Sequence, residues 1–379
     1  MGRALPLLLV SLLLSACGSK TGLNIPDVEL EAQPDVIIPE LCPPGEPVDL
    51  LFVIDNSQSM EEEQESLAAE IPALMDALVR PPDLDGDGLP EWNPVTNLHV
   101  GVVTTDLGIG NFRVGSCERP RGGDGILRNV GNPRDFDCLR AFPQFLSFMG
   151  DSSEDQLVND LSCLVAVGDD GCGQEQPMEA ALKALTPASS PLRFNRESAG
   201  VGDGPNDGFL RPDSFLTLVI VTDEDDCSVL DEDLFDPESE RYLEHPNLRC
   251  YIHFETALHP VERFVDGFLA LRGGDRDRIA LSLIAGVPTD LASRGRETAF
   301  SEILTDPRMA YRIEGDEILP EPSCEVPERG VAFPPRRLVE LARDLTPNST
   351  VQSICQADFR PAGAAIAELI GVRRCDTNE

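Results

Sequence analysis

Two apolar segments of strand length, residues 48–54 and 215–221, are each followed within two residues by an aspartate. A near-continuous apolar run of this length is typical of a parallel strand that is buried on both faces. Ligand sites in open α/β sheets lie just beyond the carboxyl ends of such strands. The polar residues that follow the two segments are Asp55, Ser57 and Ser59 after the first, and Thr222 and Asp223 after the second. Because their oxygen atoms suit hard cations such as Mg²⁺, Mn²⁺ and Ca²⁺, these segments predict a metal site at one edge of a sheet.

Further strands and helices are indicated along the chain. Apolar runs at 97–106 and 278–287 predict two more strands, and helical spacing of apolar residues predicts helices at 61–79, 156–167, 178–185, 261–271, 338–345 and 362–370. Strands that alternate with helices indicate an α/β fold with a doubly wound, mostly parallel sheet flanked by helices. One folded unit is expected over 48–379, with loop insertions at about 83–94, 108–150, 190–213, 226–255 and 305–350.

The pattern Asp55-x-Ser57-x-Ser59 after an apolar strand resembles the metal-ion-dependent adhesion site of von Willebrand factor A domains. The ending Thr222-Asp223 is similar to that family's fourth strand, although Glu224 stands where the family usually has glycine. This resemblance implies that Asp55, Ser57, Ser59 and Asp223 hold Mg²⁺, Mn²⁺ or Ca²⁺. It further implies that the ion bridges to an acidic side chain of a protein partner. A strand followed by an ordinary polar turn is the simpler alternative, since aspartate and serine are common in turns.

The third metal loop of the family usually carries a threonine before a helix that begins with an Ala-Leu pair. Alignment on Ala181-Leu182 places Glu175 or Gln176 near that position, and no threonine is present. Three alternatives stay open: Glu175 ligates the metal, Gln176 does, or neither does and water takes the place. If Glu175 ligates, it supplies negative charge from within the protein and should weaken the capture of an acidic partner.

A second candidate site has acidic residues at alternate positions followed by glycine, as at the start of a calcium-binding loop. Its predicted ligands are Asp83, Asp85, Asp87 and Glu91. The twelfth position of the loop is Pro94 rather than the bidentate glutamate of an EF-hand, so a shorter Ca²⁺ site is expected. A solvated acidic turn without metal is the alternative.

The first 17 residues resemble a bacterial lipoprotein signal. An apolar core follows one positive charge, and Leu14-Ser15-Ala16-Cys17 is similar to a lipobox with cleavage before Cys17. The core is too short to span a bilayer, so residues 1–16 are interpreted as a signal peptide and Cys17 as the lipidated residue. A plain secretory signal cleaved after Ala16 is the alternative. Residues 17–47 are acidic and proline-rich and predict an extended tether. Gly18 favours the outer membrane, so a lipid-anchored protein of the bacterial cell envelope is expected.

Ten cysteines follow Cys17, and an even number in an exported protein indicates disulfides. The connectivity cannot be read from the sequence. Pairing of sequence neighbours would join Cys117 to Cys138, Cys163 to Cys172 and Cys227 to Cys250. Pairing of Cys42 with Cys375 would join the two ends of the domain.

The formal net charge of −37 excludes a nucleic-acid partner, whose binding requires a basic surface. It also argues against direct binding to anionic lipid, which leaves the acyl chain as the membrane anchor. The sequence contains no G-x-S-x-G, H-E-x-x-H or P-loop motif, so no enzyme activity and no small-molecule substrate are inferred. The expected function is metal-dependent protein–protein interaction or adhesion. The alternative is a structural envelope domain with a degenerate metal site.

Overall fold

The computed structural model describes residues 45–114, 117, 121–132, 136–150, 152–294, 297–315, 317–327 and 330–372. The predicted signal peptide, Cys17 and nearly all of the predicted tether lie outside the described residues, as do Cys42 and Cys375. Within the described ranges, none of the helices has the length and apolar character needed to cross a membrane.

The described part of the chain contains eight strands and eight α-helices. The strands are β1 (Val48–Ile54), β2 (Asn97–Thr104), β3 (Leu146–Met149), β4 (Phe215–Val221), β5 (Ile279–Ala285), β6 (Cys324–Val326), β7 (Gly330–Ala332) and β8 (Ser349–Ser353). The helices are α1 (Glu61–Val79), α2 (Glu154–Val165), α3 (Pro177–Leu185), α4 (Pro246–Ile252), α5 (Val261–Ala270), α6 (Phe300–Thr305), α7 (Arg336–Asp344) and α8 (Arg360–Gly371).

Six strands form one mostly parallel sheet in the order β3-β2-β1-β4-β5-β8, and β6 and β7 form a separate antiparallel hairpin. β1 pairs in parallel with both β2 and β4, so that Ile54 lies opposite Thr104 on one side and Val221 on the other. β3 lies at an edge and runs antiparallel to β2. The strand order therefore changes direction between β1 and β4, which is the point where open α/β sheets usually bind ligands.

Alternate side chains of β1 face two separate hydrophobic cores. Leu50, Phe52 and Ile54 pack on one face with residues of α1, α2 and α8. Leu51 and Val53 pack on the other face with residues of α3, α5 and α7. Because successive side chains of a strand point to opposite faces, a strand buried on both must be apolar nearly throughout. Each of these buried side chains contributes about 1.5–3 kcal/mol, so the two cores hold the carboxyl end of β1 in place.

The structure confirms the prediction of an α/β fold with a mostly parallel sheet flanked by helices. The predicted strands at 97–106 and 278–287 correspond to β2 and β5, and the six predicted helices correspond to α1, α2, α3, α5, α7 and α8. Three of the segments expected as insertions contain regular structure that the sequence patterns did not indicate. These elements are β3 in 108–150, α4 in 226–255, and the hairpin of β6 and β7 in 305–350.

Four cysteine pairs lie at disulfide distance, namely Cys117–Cys172, Cys138–Cys163, Cys227–Cys250 and Cys324–Cys355. The expected pairing of Cys227 with Cys250 is confirmed, whereas the expected pairings of Cys117 with Cys138 and of Cys163 with Cys172 are wrong. The fold places Cys138 beside α2, which contains Cys163, and places Cys117 beside the loop that precedes α3. Spatial proximity decides pairing, and closeness along the chain does not: the confirmed pair is 23 residues apart in sequence, whereas both wrong pairs are closer together.

Candidate metal site at the carboxyl edge of the sheet

The predicted metal residues lie where β1 and β4 end side by side. Asp55 directly follows β1, and its backbone N–H donates to the carbonyl of Val221, the last residue of β4. Thr222 and Asp223 come next in the chain, so the aspartates that follow the two strands emerge at the same edge. This edge is the point at which the strand order changes direction.

The Asp55 carboxylate is completely buried and is held from two sides. The backbone N–H of Ser57 donates to Oδ1 at 2.8 Å, and the hydroxyl of Thr222 donates to Oδ2 at 2.7 Å. The hydroxyls of Ser57 and Ser59 lie 3.2 Å apart, within hydrogen-bond distance. Burial raises the pKa of Asp55, and these hydrogen bonds partly offset that increase. The structure thus brings Asp55, Ser57 and Ser59 together on one short loop.

Asp223 is buried beside this loop, and its backbone carbonyl accepts a hydrogen bond from Phe333 N–H at 2.8 Å. Within the described part of the chain, Oδ1 of Asp223 has no hydrogen-bond partner. Burial raises the pKa of Asp223 well above its usual value, and the charge of Asp55 raises it further. A buried carboxylate oxygen without a donor is costly unless a cation or a proton meets it.

The third loop separates the two candidates that the sequence left open. Gln176 is engaged elsewhere, since its side-chain amide donates to the carbonyl of Gly108 at 3.1 Å and accepts from Asn195 at 2.8 Å. Glu175 is buried, and its Oε1 has no hydrogen-bond partner among the described residues. Burial raises the pKa of Glu175 well above its usual value. The negative charges of Glu224, Asp55 and Asp223 raise it further. Glu175 is therefore electrostatically part of this site.

Glu224 is a fourth acidic group at the site, at the position where the family pattern usually has glycine. Burial raises its pKa to about 8, with the charge of Asp55 as the second cause. The hydroxyl of Tyr251 donates to its Oε2 at 3.3 Å. The signal in the sequence was the acidic run 223–226, of which only Asp223 matches the family pattern.

The neighbouring acidic residues Asp225 and Asp226 have basic and hydroxyl partners. Asp226 pairs with Arg337 at 3.1 Å, and Asp225 accepts hydrogen bonds from the Arg337 backbone and the Tyr311 hydroxyl. At the opposite end of β1, the buried Asp49 accepts from the Arg211 side chain at 2.7 Å. These acidic groups are balanced within the protein.

By contrast, no lysine, arginine or histidine in the described ranges neutralises the four acidic groups at the candidate site, which are Asp55, Glu175, Asp223 and Glu224. Burying an unpaired charge costs several kcal/mol per ion. This cost favours protonation of the carboxyl groups or the binding of a cation. The donor set of carboxylates and hydroxyls fits a hard divalent cation. No three of these carboxylates lie within 4.8 Å of one another, so the serine hydroxyls are needed to complete a ligand set.

The loop at 83–91 brings together three of its four predicted ligands. The carboxylate oxygens of Asp83, Asp85 and Glu91 lie within 4.8 Å of one another, and Asp87 is not part of this group. The Asp83 carboxylate accepts hydrogen bonds from the backbone N–H groups of Gly86 and Gly88, which both have positive φ. Glu91 accepts from the backbone of Leu84 at 2.8 Å. The loop is exposed, and acidic groups at such a surface are common without an ion.

No family model and no curated protein matches this chain. Among solved structures, it is similar to proximal thread matrix protein 1 from the mussel byssus, at 9% identity and a TM-score of 0.32, over 86% of this chain and 48% of that one. It is also similar to the human COPII-coat protein Sec24c, at 13% identity and a TM-score of 0.30, over 65% of this chain and 27% of that one. The chain thus spans less than half the length of either protein, and similarity at this level carries no argument about function.

Proposed function

We propose that this chain is a bacterial cell-envelope lipoprotein whose von Willebrand factor A-like domain binds a divalent cation and uses it to hold a protein partner. Asp55, Ser57 and Ser59 would hold the ion directly, and Asp223 and Glu175 would reach it at least in part through water, because no three of these carboxylates lie within 4.8 Å of one another. The observation that carries the proposal is the set of four acidic groups without a basic partner at the ends of β1 and β4. A bound ion would supply the missing positive charge and a coordination position for a partner.

Calorimetric titration of Mg²⁺, Mn²⁺ and Ca²⁺ into the full chain tests this proposal. Asp55→Asn should abolish binding, because it removes the central carboxylate with little change of shape. Asp207→Asn is the matched control, since this aspartate is exposed and belongs to the loop before β4 rather than to the segments that follow β1 and β4. Equal heats for the protein and Asp55→Asn would favour the alternative, a structural domain with a degenerate metal site.

The loop at 83–91 is the second cation site of the proposal, and Ca²⁺ is its expected ion. Because Asp83, Asp85 and Glu91 converge and Asp87 does not, the two aspartates should behave differently. Ca²⁺ at saturation should raise the melting temperature of the protein and of Asp87→Asn, while in Asp85→Asn the increase should be smaller by the contribution of this loop. The same increase in both variants would leave the loop as a solvated turn.

The envelope location rests on residues 1–47, which lie outside the described residues. Expression in a Gram-negative host with an alkyne fatty acid should label the protein and not Cys17→Ala. Label on both, or on neither, would overturn the lipid anchor and leave the metal site untouched.

A further inference from the structure

A cleft of about 440 Å³ opens beside the candidate metal site. It lies between the start of α1 and the hairpin of β6 and β7, and Ser59, Asp223 and Glu224 are among the residues that line it. Oδ1 of Asp223 is buried and has no hydrogen-bond partner among the residues described. We call this space the acidic cleft. Its volume falls in the range of about 300–1,000 Å³ that ligand pockets occupy.

One wall of the acidic cleft carries only negative charge. Glu61, Glu62 and Glu63 line it at the first turn of α1, and Glu61 and Glu62 are exposed. With Asp223 and Glu224 the lining contains five carboxyl groups, and it contains no lysine, arginine or histidine among the described residues. With all five groups deprotonated, a bound divalent cation would reduce the formal charge of the lining from −5 to −3 without reversing it. An acidic ligand would therefore enter a space that still repels it.

The opposite wall is apolar and held in place. Val331, Phe333 and Ile354 line it, and Val331 is 40% exposed. The disulfide of Cys324 with Cys355 ties the hairpin to the segment after β8. On the other side, the backbone N–H of Phe333 donates to the carbonyl of Asp223 at 2.8 Å. The apolar wall is thus fixed to the same residue that the metal site uses.

We propose that the partner segment recognised in the acidic cleft is basic and aliphatic, with lysine or arginine alternating with valine or leucine. The inference rests on the proposed function, because Ser59 and Asp223 of the proposed metal site line the cleft, and a backbone carbonyl of the segment would take the open coordination position of the ion. In an extended segment, alternate side chains point to opposite sides. The basic side chains then face Glu61 and Glu62, and the aliphatic ones face Val331, the exposed residue of the apolar wall. This differs from the acidic partner that the family resemblance implies.

Fluorescence anisotropy on the full chain tests the inference with two labelled peptides of equal length. One alternates lysine with valine, and the other alternates glutamate with valine. In the presence of Mg²⁺ the lysine peptide should bind more tightly than the glutamate peptide, and its affinity should fall as salt is added. Equal binding of the two peptides, or tighter binding of the glutamate peptide, would overturn the inference.

Matched variants separate the cleft from the general acidity of the chain. Glu61→Gln/Glu62→Gln should weaken binding of the lysine peptide about three- to tenfold, as expected for two exposed charges. Glu65→Gln/Asp76→Asn removes the same charge from exposed positions of the same helix outside the cleft and should have less effect. Equal effects of the two double variants would overturn the inference.

The apolar wall and the metal site have separate tests. Val331→Ser should weaken binding of the lysine peptide. Leu243→Ser should not, since Leu243 is 80% exposed and lies outside the cleft. Calorimetry with Mg²⁺ in the absence of peptide reports on the proposed function alone. If Mg²⁺ binds and the glutamate peptide has the higher affinity, only the inference fails. If Mg²⁺ does not bind, the proposed function fails, and the inference, which rests on it, fails as well.

Discussion

The hydroxyl of Thr222, directly after β4, donates to Oδ2 of Asp55, directly after β1, at 2.7 Å. Both side chains are completely buried, and the backbone N–H of Ser57 occupies the other carboxylate oxygen at 2.8 Å. The orientation of Asp55 is therefore set by the neighbouring strand as well as by its own loop. In metal sites, partners of this kind orient the ligands and tune their affinity.

Replacing Thr222 with valine should weaken Mg²⁺ binding by about tenfold or more, because the Asp55 carboxylate loses the donor that orients it. Calorimetric titration measures the change. Thr217→Val is the matched control, since Thr217 lies on the same strand and its buried hydroxyl has no partner among the described residues. An equal loss of affinity in both variants would contradict a positioning role for Thr222.

The raised pKa values of the site predict how the stability of the metal-free protein varies with pH. A carboxyl group whose pKa is higher in the folded chain binds its proton more tightly there. It therefore stabilises the fold below its unfolded pKa, and this contribution is lost as the pH rises through the folded pKa. For Glu224 the window extends from 4.5 to about 8, and Glu175 and Asp223 shift in the same direction. In EDTA, the free energy of unfolding should fall across this window.

Mg²⁺ should counteract this loss, because metal binding requires deprotonated ligands and strengthens as the pH rises. Urea denaturation in EDTA and in Mg²⁺ would measure the difference in unfolding free energy at each pH. This difference should grow from about pH 5 to about pH 8. Curves that stay parallel would show that the carboxyl groups of the site do not take up the metal.

Two conservative substitutions should change stability in opposite directions. Glu175→Gln removes a buried charge without a basic partner, so the metal-free protein at about pH 8 should gain about 1 kcal/mol while Mg²⁺ affinity falls. Asp49→Asn removes the buried partner of Arg211 and should cost about 2–3 kcal/mol without changing Mg²⁺ affinity. Urea denaturation and calorimetry measure both effects. Destabilisation by Glu175→Gln, or unchanged Mg²⁺ affinity, would contradict its assignment to the metal site.

The disulfide of Cys117 with Cys172 should matter for metal binding, because Cys172 belongs to the loop that carries Glu175. Replacing both cysteines with serine should cost about 2–4 kcal/mol of stability and should also weaken Mg²⁺ binding. The double serine variant of Cys138 and Cys163 should lose stability without that loss of affinity, since this pair joins a turn to α2. Equal Mg²⁺ affinities in the two double variants would show that the disulfide of Cys117 with Cys172 does not support the metal site.

The central strands could be predicted because hydrophobic burial determines them. Every residue of β4 is buried and nearly all are apolar, so the pattern is visible in the sequence. β8 could not be predicted from the hydrophobic pattern, because its five buried residues, Ser-Thr-Val-Gln-Ser, are mostly polar. Their burial depends on hydrogen bonds formed only in the fold, such as that of the Ser349 hydroxyl to the carbonyl of Ala342. No periodic pattern marks a strand of this kind.

The candidate site likewise has residues that a sequence pattern reveals and residues that only the fold reveals. Asp55, Ser57 and Ser59 are adjacent in sequence, so their pattern could be recognised without a structure. The involvement of Glu224 depends on its burial and on the nearby charge of Asp55, neither of which a local motif contains. The choice between Glu175 and Gln176 depended on partners distant in sequence, since Gly108 and Asn195 engage the Gln176 side chain.

The most direct test of the account is the anomalous difference density of a crystal of this protein soaked in Mn²⁺. The account predicts a peak at the carboxyl ends of β1 and β4, within about 2.6 Å of oxygen atoms of Asp55, Ser57 and Ser59. The peak should be absent from crystals of Asp55→Asn. A peak only at the 83–91 loop, or no peak between Asp55 and Asp223, would contradict the claim that this edge of the sheet is a metal site.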